Sequence, residues 1–186
     1  KDLSTEWNIW TSGSITTGKI DESYVRSGIK LNIVDLGIGV DKRWGPGYFY
    51  GFSLHRSATE DEIANDKNNV ETETYSISSY HNFELSSEDS IDLILSYGQS
   101  DINIKRIGLD NVTYYYGDQD ASNLQLDLKY SIHFNLMDYS IKPFGKINFG
   151  LIKLNNFNES EGTESLFFDN QHIHNSSATI GSKVIL

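Results

Sequence analysis

The sequence predicts an all-β chain, an antiparallel up-and-down sheet rolled into a membrane-spanning barrel. Three observations carry this. Residues 124–136, LQLDLKYSIHFNL, alternate without a break: Leu124, Leu126, Leu128, Tyr130, Ile132, Phe134 and Leu136 on one side, Gln125, Asp127, Lys129, Ser131, His133 and Asn135 on the other. Such period-two alternation is the mark of one extended strand with two unlike faces. No segment shows a convincing helical period. Several alternating segments are longer than the roughly 5–6 residues of an ordinary soluble strand.

Eight such segments follow in order. The first is residues 7–18, WNIWTSGSITTG. The second, residues 28–44, ends with Leu36, Ile38 and Val40 opposite Gly37, Gly39 and Asp41. The third sets Tyr48, Tyr50, Phe52 and Leu54 against Phe49, Gly51, Ser53 and His55. The fourth, residues 70–85, alternates more weakly. The fifth carries Ile91, Leu93, Leu95 and Tyr97 on one face, and the sixth is residues 124–136. The seventh, residues 139–154, sets Ile141, Ile147, Phe149 and Leu151 against Lys142, Lys146 and Asn148. The eighth, SATIGSKVIL, sets Ala178, Ile180, Val184 and Leu186 against Thr179, Gly181 and Lys183. Residues 60–67 could form at most a turn of helix.

Short connections at 44–47, 86–90 and 136–139 alternate with long ones at 57–69, 101–123 and 155–175. Gly, Pro, Ser and Asp give the short ones turn geometry. Outer-membrane barrels keep short turns on one side and long loops on the other, whereas a soluble meander has no reason to. Length points the same way. Thirteen residues at roughly 3.3 Å each reach about 43 Å, and tilted by roughly 45° they rise about 30 Å, the thickness of a bilayer's hydrocarbon core. The lipid-facing set is then Leu124, Leu126, Leu128, Tyr130, Ile132 and Phe134. The lumen set includes Asp41, Asp127, Lys129, Lys142 and Lys146, with Gly37, Gly39 and Gly51 among them. Trp44, Tyr48, Phe134 and Tyr139 flank short turns, and Trp7 and Trp10 open the first strand, so the three tryptophans are expected in one interfacial girdle.

Composition agrees. The 186 residues suffice for one domain, with 11 Tyr, 9 Phe and only 2 Pro, a strand-rich profile. The absence of cysteine disfavours a small disulfide-stapled secreted domain. A net charge of −11 argues against binding to a phosphate backbone, which needs clustered Lys and Arg, so no nucleic-acid partner is expected. No apolar run is long enough for a transmembrane helix, and the negative mean hydropathy does not separate a soluble protein from a barrel. The start at Lys1, without a signal-like segment, reads as a mature chain or an excised piece.

Residues 139–162, YSIKPFGKINFGLIKLNNFNESEG, resemble the C-terminal β-domain of autotransporters, the translocator unit of self-secreting bacterial proteins. The similar features are an alternating strand with Pro143–Phe144, an acidic Ser/Gly element with Glu159, Glu161 and Gly162, and the following ATIGSKVIL. At the front, WNIWTSGSITTGKID resembles the family's first strand. LGIGVDKRWGPGYFYGFSL, with Gly39 and Asp41 before a short turn, resembles its second and third. The resemblance implies a twelve-stranded barrel in the bacterial outer membrane, of which eight strands are present. Four strands and a terminal aromatic are then missing, with Leu186 in their place, and a passenger lies upstream of Lys1. It also implies that the barrel anchors and helps export that passenger, with a linker segment in the lumen and the barrel-assembly machinery as a partner. A small complete barrel acting as adhesin or porin, and a soluble β-sandwich binding module, are the alternatives.

Enzymatic motifs are lacking. GIGVD, residues 37–41, has neither the third glycine nor the helix of a dinucleotide site; strand glycines facing a crowded interior explain it better. His172 and His174 share a strand face but have no evident third metal ligand. There is no Gly-x-Ser-x-Gly elbow, and scattered Ser, His and Asp mean nothing without geometry. No catalytic, cofactor or metal residue is assigned, and no enzymatic activity is expected. Glu60, Asp61, Glu62, Asp66, Asp118, Asp120, Glu159, Glu161 and Glu164 are expected in long loops. A solvated, self-repelling surface is favoured there over cation bridges to outer-leaflet phosphates. The sequons at Asn111, Asn158 and Asn175 carry no weight in a bacterial protein.

Overall fold

The computed structural model describes residues 6–24, 27–45, 47–64, 67–136, 139–160 and 162–185. Eight long strands form one antiparallel meander: β1 (Asn8–Ile20), β2 (Ile29–Arg43), β3 (Tyr48–Ile63), β4 (Asn68–Glu84), β5 (Asp89–Ile107), β6 (Tyr114–Ile132), β8 (Tyr139–Leu154) and β11 (Gln171–Ile185). A three-residue strand β7 (Phe134–Leu136) pairs with the start of β8, and β9 (Phe157–Asn158) pairs with β10 (Phe167–Phe168) in a separate small hairpin. Among the described residues β1 and β11 have one neighbour each in this sheet and do not pair with one another.

The alternation predicted from sequence becomes two faces in register. One row of paired residues crosses the sheet from Ile38 through Leu54, Ile77, Tyr97 and Leu124 to Leu151, all exposed. The inner row beside it runs Asp41, Gly51, Tyr80, Ile94, Asp127, Asn148. The polar row is the more buried: Asp41 and Asp127 are each 8% exposed, while Leu54 is 57% exposed. A soluble sandwich would cover that apolar face with a second sheet. Among the described residues the only other sheet is the β9–β10 hairpin.

The strands are longer than expected, and this corrects several boundaries. β5 and β6 have 19 residues each, about 60 Å at roughly 3.3 Å per residue, twice a hydrocarbon core. Residues 57–63 belong to β3, not to a loop or a turn of helix, and residues 101–107 and 114–123 belong to β5 and β6. The long connections shrink to 64–67 and 108–113; only 155–170 stays long. Polar alternation beyond the lipid band hid these extensions. Glu60, Asp61, Glu62, Asp118 and Asp120 are therefore strand residues rather than loop residues. The stretch 124–136 is divided in two: β6 stops at Ile132, and β7 resumes at Phe134 on β8 in the same register. The His133 N–H between them donates to the Glu88 carbonyl at 2.7 Å, the position opposite it in the β5–β6 register, where Asp89 faces Ile132.

Turns at the opposite end are tight. Trp44 N–H donates to Tyr48 C=O at 2.7 Å, and Gly45 takes a positive φ of 72° that its lack of Cβ permits. The 85–88 turn is fixed by Ser86 Oγ, which accepts from the backbone N–H of Glu88 and of Asp89, both at 3.0 Å. Lys1, Pro46, Asp66, Glu161 and Leu186 lie outside the described residues, as does the side chain of Tyr139.

Candidate functional site

The polar concave face is the candidate site. Every residue placed there from sequence is found there: Asp41 on β2, Asp127 and Lys129 on β6, Lys142 and Lys146 on β8. Alternation puts them on one side, and register then brings charges on neighbouring strands together. Lys129 Nζ meets Asp92 at 3.2 Å, and Lys146 Nζ meets Asp127 at 2.9 Å. Asn82 Nδ2 donates to Asp92 at 2.6 Å. Phe49, Tyr80 and these paired charges line an open cavity of about 370 Å³ on the wall.

Two aromatic residues complete this wall, neither of them placed there from the sequence. Trp10 Nε1 donates to Tyr80 Oη at 2.7 Å, and Tyr80 Oη donates to Asp41 Oδ2 at 3.1 Å. Asn8 Nδ2 donates to Asp41 Oδ1 at 3.1 Å, so both carboxylate oxygens are engaged. The rings lie where glycines make room. A methyl group on Gly51 would sit 2.3 Å from the Tyr80 ring, and one on Gly39 would sit 2.3 Å from the Trp10 ring. The sequence signal was the glycines facing a crowded interior; which rings crowd them depends on register. Trp10 thus points inward, which corrects its expected place in the girdle.

The remaining girdle forms on the convex side at the short-turn end. Trp7 meets Tyr50 edge-on with centroids 5.7 Å apart, Trp44 lies 6.3 Å from Tyr50, and Tyr48 stacks on Phe83 at 4.8 Å. Lys42 Nζ sits 5.6 Å from the Trp7 ring centre. Such aromatics suit the headgroup level, where a ring can be half greasy and half wet. The lipid-facing set Leu124, Leu126, Leu128, Tyr130 and Phe134 is exposed on this convex side, and Ile132 shares its face with partial exposure. Beyond Leu54, Ile77, Tyr97, Leu124 and Leu151 the outward positions turn polar: Arg56, Glu73 and Tyr75 bond one another there, and Asp101, Asp120 and Lys153 follow. This sets the far edge of the apolar band.

At the far end the 155–170 segment folds onto the concave side. Asn155 N–H donates to Asp120 C=O at 2.9 Å and Ser160 N–H to Tyr116 C=O at 2.7 Å, extending the β6 ladder past the end of β8. Phe157 stacks on Phe168 at 4.6 Å and lies over Gly117. Glu159, 6% exposed, receives Arg106 Nε at 2.8 Å and Nη2 at 2.6 Å, and the Leu166 N–H at 3.0 Å. The Arg106 hydrogen bonds, aided by that N–H and the guanidinium charge, hold the Glu159 carboxyl below the usual glutamate range against its desolvation. The Arg106 guanidinium covers the Tyr115 ring at 4.8 Å. No sequence pattern linked Arg106 to Glu159.

His172 and His174 lie exposed on β11, paired with Lys153 and Leu151. No group of three His, Cys, Asp or Glu suited to a metal ion occurs among the described residues. Gly37–Asp41 is strand throughout, with no helix behind it.

The Autotransporter beta-domain family model matches residues 9–185. No curated protein matches the chain. Among solved structures, the translocator domain of autotransporter NalP from Neisseria meningitidis superposes with a TM-score of 0.81 at 14% identity. That superposition covers 98% of this chain and 63% of NalP's, so the chain spans less than two thirds of that domain. The β domain of the Bordetella autotransporter BrkA gives a TM-score of 0.69 at 14% identity, covering 96% of this chain and 68% of BrkA's. BauA, the ferric preacinetobactin receptor of Acinetobacter baumannii, gives 0.53 at 8% identity, over 96% and 37%. At these identities the superpositions establish the fold, that of outer-membrane barrels.

Proposed function

This chain belongs to the autotransporter β-domain family, and on that premise we propose that it forms the wall of an outer-membrane translocator that anchors an upstream passenger and helps bring it to the cell surface. The observation that carries the reading is the division of one sheet into a convex band of exposed large apolar side chains and a concave wall of paired charges. The first suits hydrocarbon and the second a hydrated pore that holds polypeptide. Such a wall performs no bond chemistry. Its work is to satisfy its own backbone in lipid and to offer a polar path through it.

The edges of β1 and β11, each without a second partner among the described residues, fit this reading. Strand edges exposed to hydrocarbon leave N–H and C=O groups without partners, at several kcal/mol each. Closure by further strands of the same barrel supplies those partners, and insertion by the barrel-assembly machinery avoids exposing the edges on the way. The short turns then face the periplasm, and the 155–170 segment lies outside.

Surface display tests the proposal. In cells making the whole protein, external protease should remove the passenger while leaving the barrel in the membrane fraction. Deleting β2–β3, residues 29–63, should retain the passenger inside. A barrel fragment that stays monomeric and folded in buffer without detergent, with no membrane fraction in cells, overturns the proposal and favours a soluble module.

A further inference from the structure

The charges of the concave wall are not evenly spread. On β2 the carboxylates already have partners: Asp41 is held by Asn8 and Tyr80, and Asp35 by Ser14 at 2.9 Å. On β6, β8 and β11 the inward charges are Lys129, Lys142, Lys146 and Lys183 against the single Asp127. Register places these lysines opposite each other, Lys129 against Lys146 and Lys142 against Lys183. Like charges directly opposite in an antiparallel pair are destabilising. The first pair is relieved by Asp92 and Asp127. The second is not: neither Lys142 nor Lys183 has an ion pair within 4 Å among the described residues, although Lys142 borders a rim cavity that Glu84 and Glu88 also line.

Spacing indicates what would relieve it. Lys142 and Lys146 are four residues apart on β8, about 13 Å, with Phe144 between them on the same face. The Lys129 ammonium sits 5.6 Å from the Phe144 ring centre. A small anion meets the Lys142–Lys183 pair and leaves Phe144 uncovered. A polypeptide running along the wall can set a carboxylate against the Lys142–Lys183 pair and at the same time lay an apolar side chain or its own backbone on Phe144. Building on the translocator reading above, we propose that the β6–β8–β11 wall is the seat for the acidic side of the polypeptide threaded through the barrel, with Lys142 and Lys183, which have no ion pair among the described residues, as its contacts at the short-turn mouth.

The test is current block in planar bilayers holding the complete barrel with its linker removed by protease. Hexaglutamate and hexalysine peptides are added on the short-turn side. Hexaglutamate should reach half-block at a concentration roughly tenfold lower than hexalysine. Lys142→Gln with Lys183→Gln should abolish the difference, and Lys142→Arg with Lys183→Arg should keep it. Folding of each variant is checked by its heat-dependent gel mobility. Equal block by both peptides, an unchanged preference in the Gln double variant, or competition by millimolar inorganic phosphate alone overturns the proposal. Those results leave surface display of the passenger intact, so the translocator reading stands or falls separately; a protein that forms no channel and displays no passenger overturns both.

Discussion

Glu159 accepts two hydrogen bonds from the Arg106 guanidinium, at 2.8 and 2.6 Å, across 53 residues of chain. The pair joins the end of β5 to the 155–170 segment and sits over Tyr115, the most buried large side chain in the sheet at 3% exposed. Arg106 keeps partial contact with solvent, so losing its carboxylate partner costs about 1.5–3 kcal/mol, the range for a hydrogen bond to a charged group. Glu159→Gln should therefore loosen residues 155–170 specifically. Hydrogen exchange by mass spectrometry should show faster exchange there and unchanged protection in residues 91–97 and 124–130.

The same carboxyl sets a pH dependence. Its folded pKa is lowered, chiefly by the Arg106 hydrogen bonds, so its contribution is complete above the unfolded glutamate value, about 4.3. It is lost as pH falls from there through the lower folded value. Protection of residues 155–170 should stay flat from neutral pH down to the ordinary glutamate range and fall only below it. Glu159→Gln should remove that acid-side fall. A decline beginning near pH 6 would contradict this assignment.

Gly51 lies beneath Tyr80, with no room for a methyl group. Gly51→Ala should displace the ring and break the Trp10–Tyr80–Asp41 chain, a cost of about 1–3 kcal/mol for overpacking. The measurement is the urea midpoint of refolding into lipid vesicles, which should drop. Adding Tyr80→Ala should recover part of the loss by clearing the space, even though it forfeits the hydrogen bonds.

Leu126 and Gln125 are chain neighbours on opposite faces. Leu126→Arg places a cation in hydrocarbon and should destabilise the barrel by about 2–4 kcal/mol at mid-depth. Gln125→Arg adds a cation beside Asp127 on the wet wall and should change the same refolding free energy by less than about 1 kcal/mol. Similar losses for both would mean that the two faces share one environment.

The fold was legible because alternation is local. Leu124 to Ile132 and Lys142 to Asn148 declare their faces through period two, whatever they pair with. Strand ends were less legible: where lipid gives way to water both faces turn polar, as at Glu60–Glu62 and Asp118–Asp120, and alternation disappears although the ladder continues. The gap between β6 and β7 at His133 was not legible, because its parity is right and its N–H still meets the Glu88 carbonyl opposite it. Trp10 was assigned to the girdle from its position along the strand; its parity, opposite to that of the exposed Ile9, points it inward, where Gly39 leaves room for the ring.

The sequence by itself determined the all-β class, the two unlike faces and the lumenal place of Asp41, Asp127, Lys129, Lys142 and Lys146. Each follows from the 180° turn between successive side chains on an extended backbone. Only the tertiary structure decided which residues meet: Tyr80 over Gly51, Lys142 against Lys183, Arg106 with Glu159. Those meetings depend on register between strands and on how one long segment folds back. A shift of one residue would swap the faces and a shift of two would change every partner, and neither shift alters the local pattern from which the faces are read.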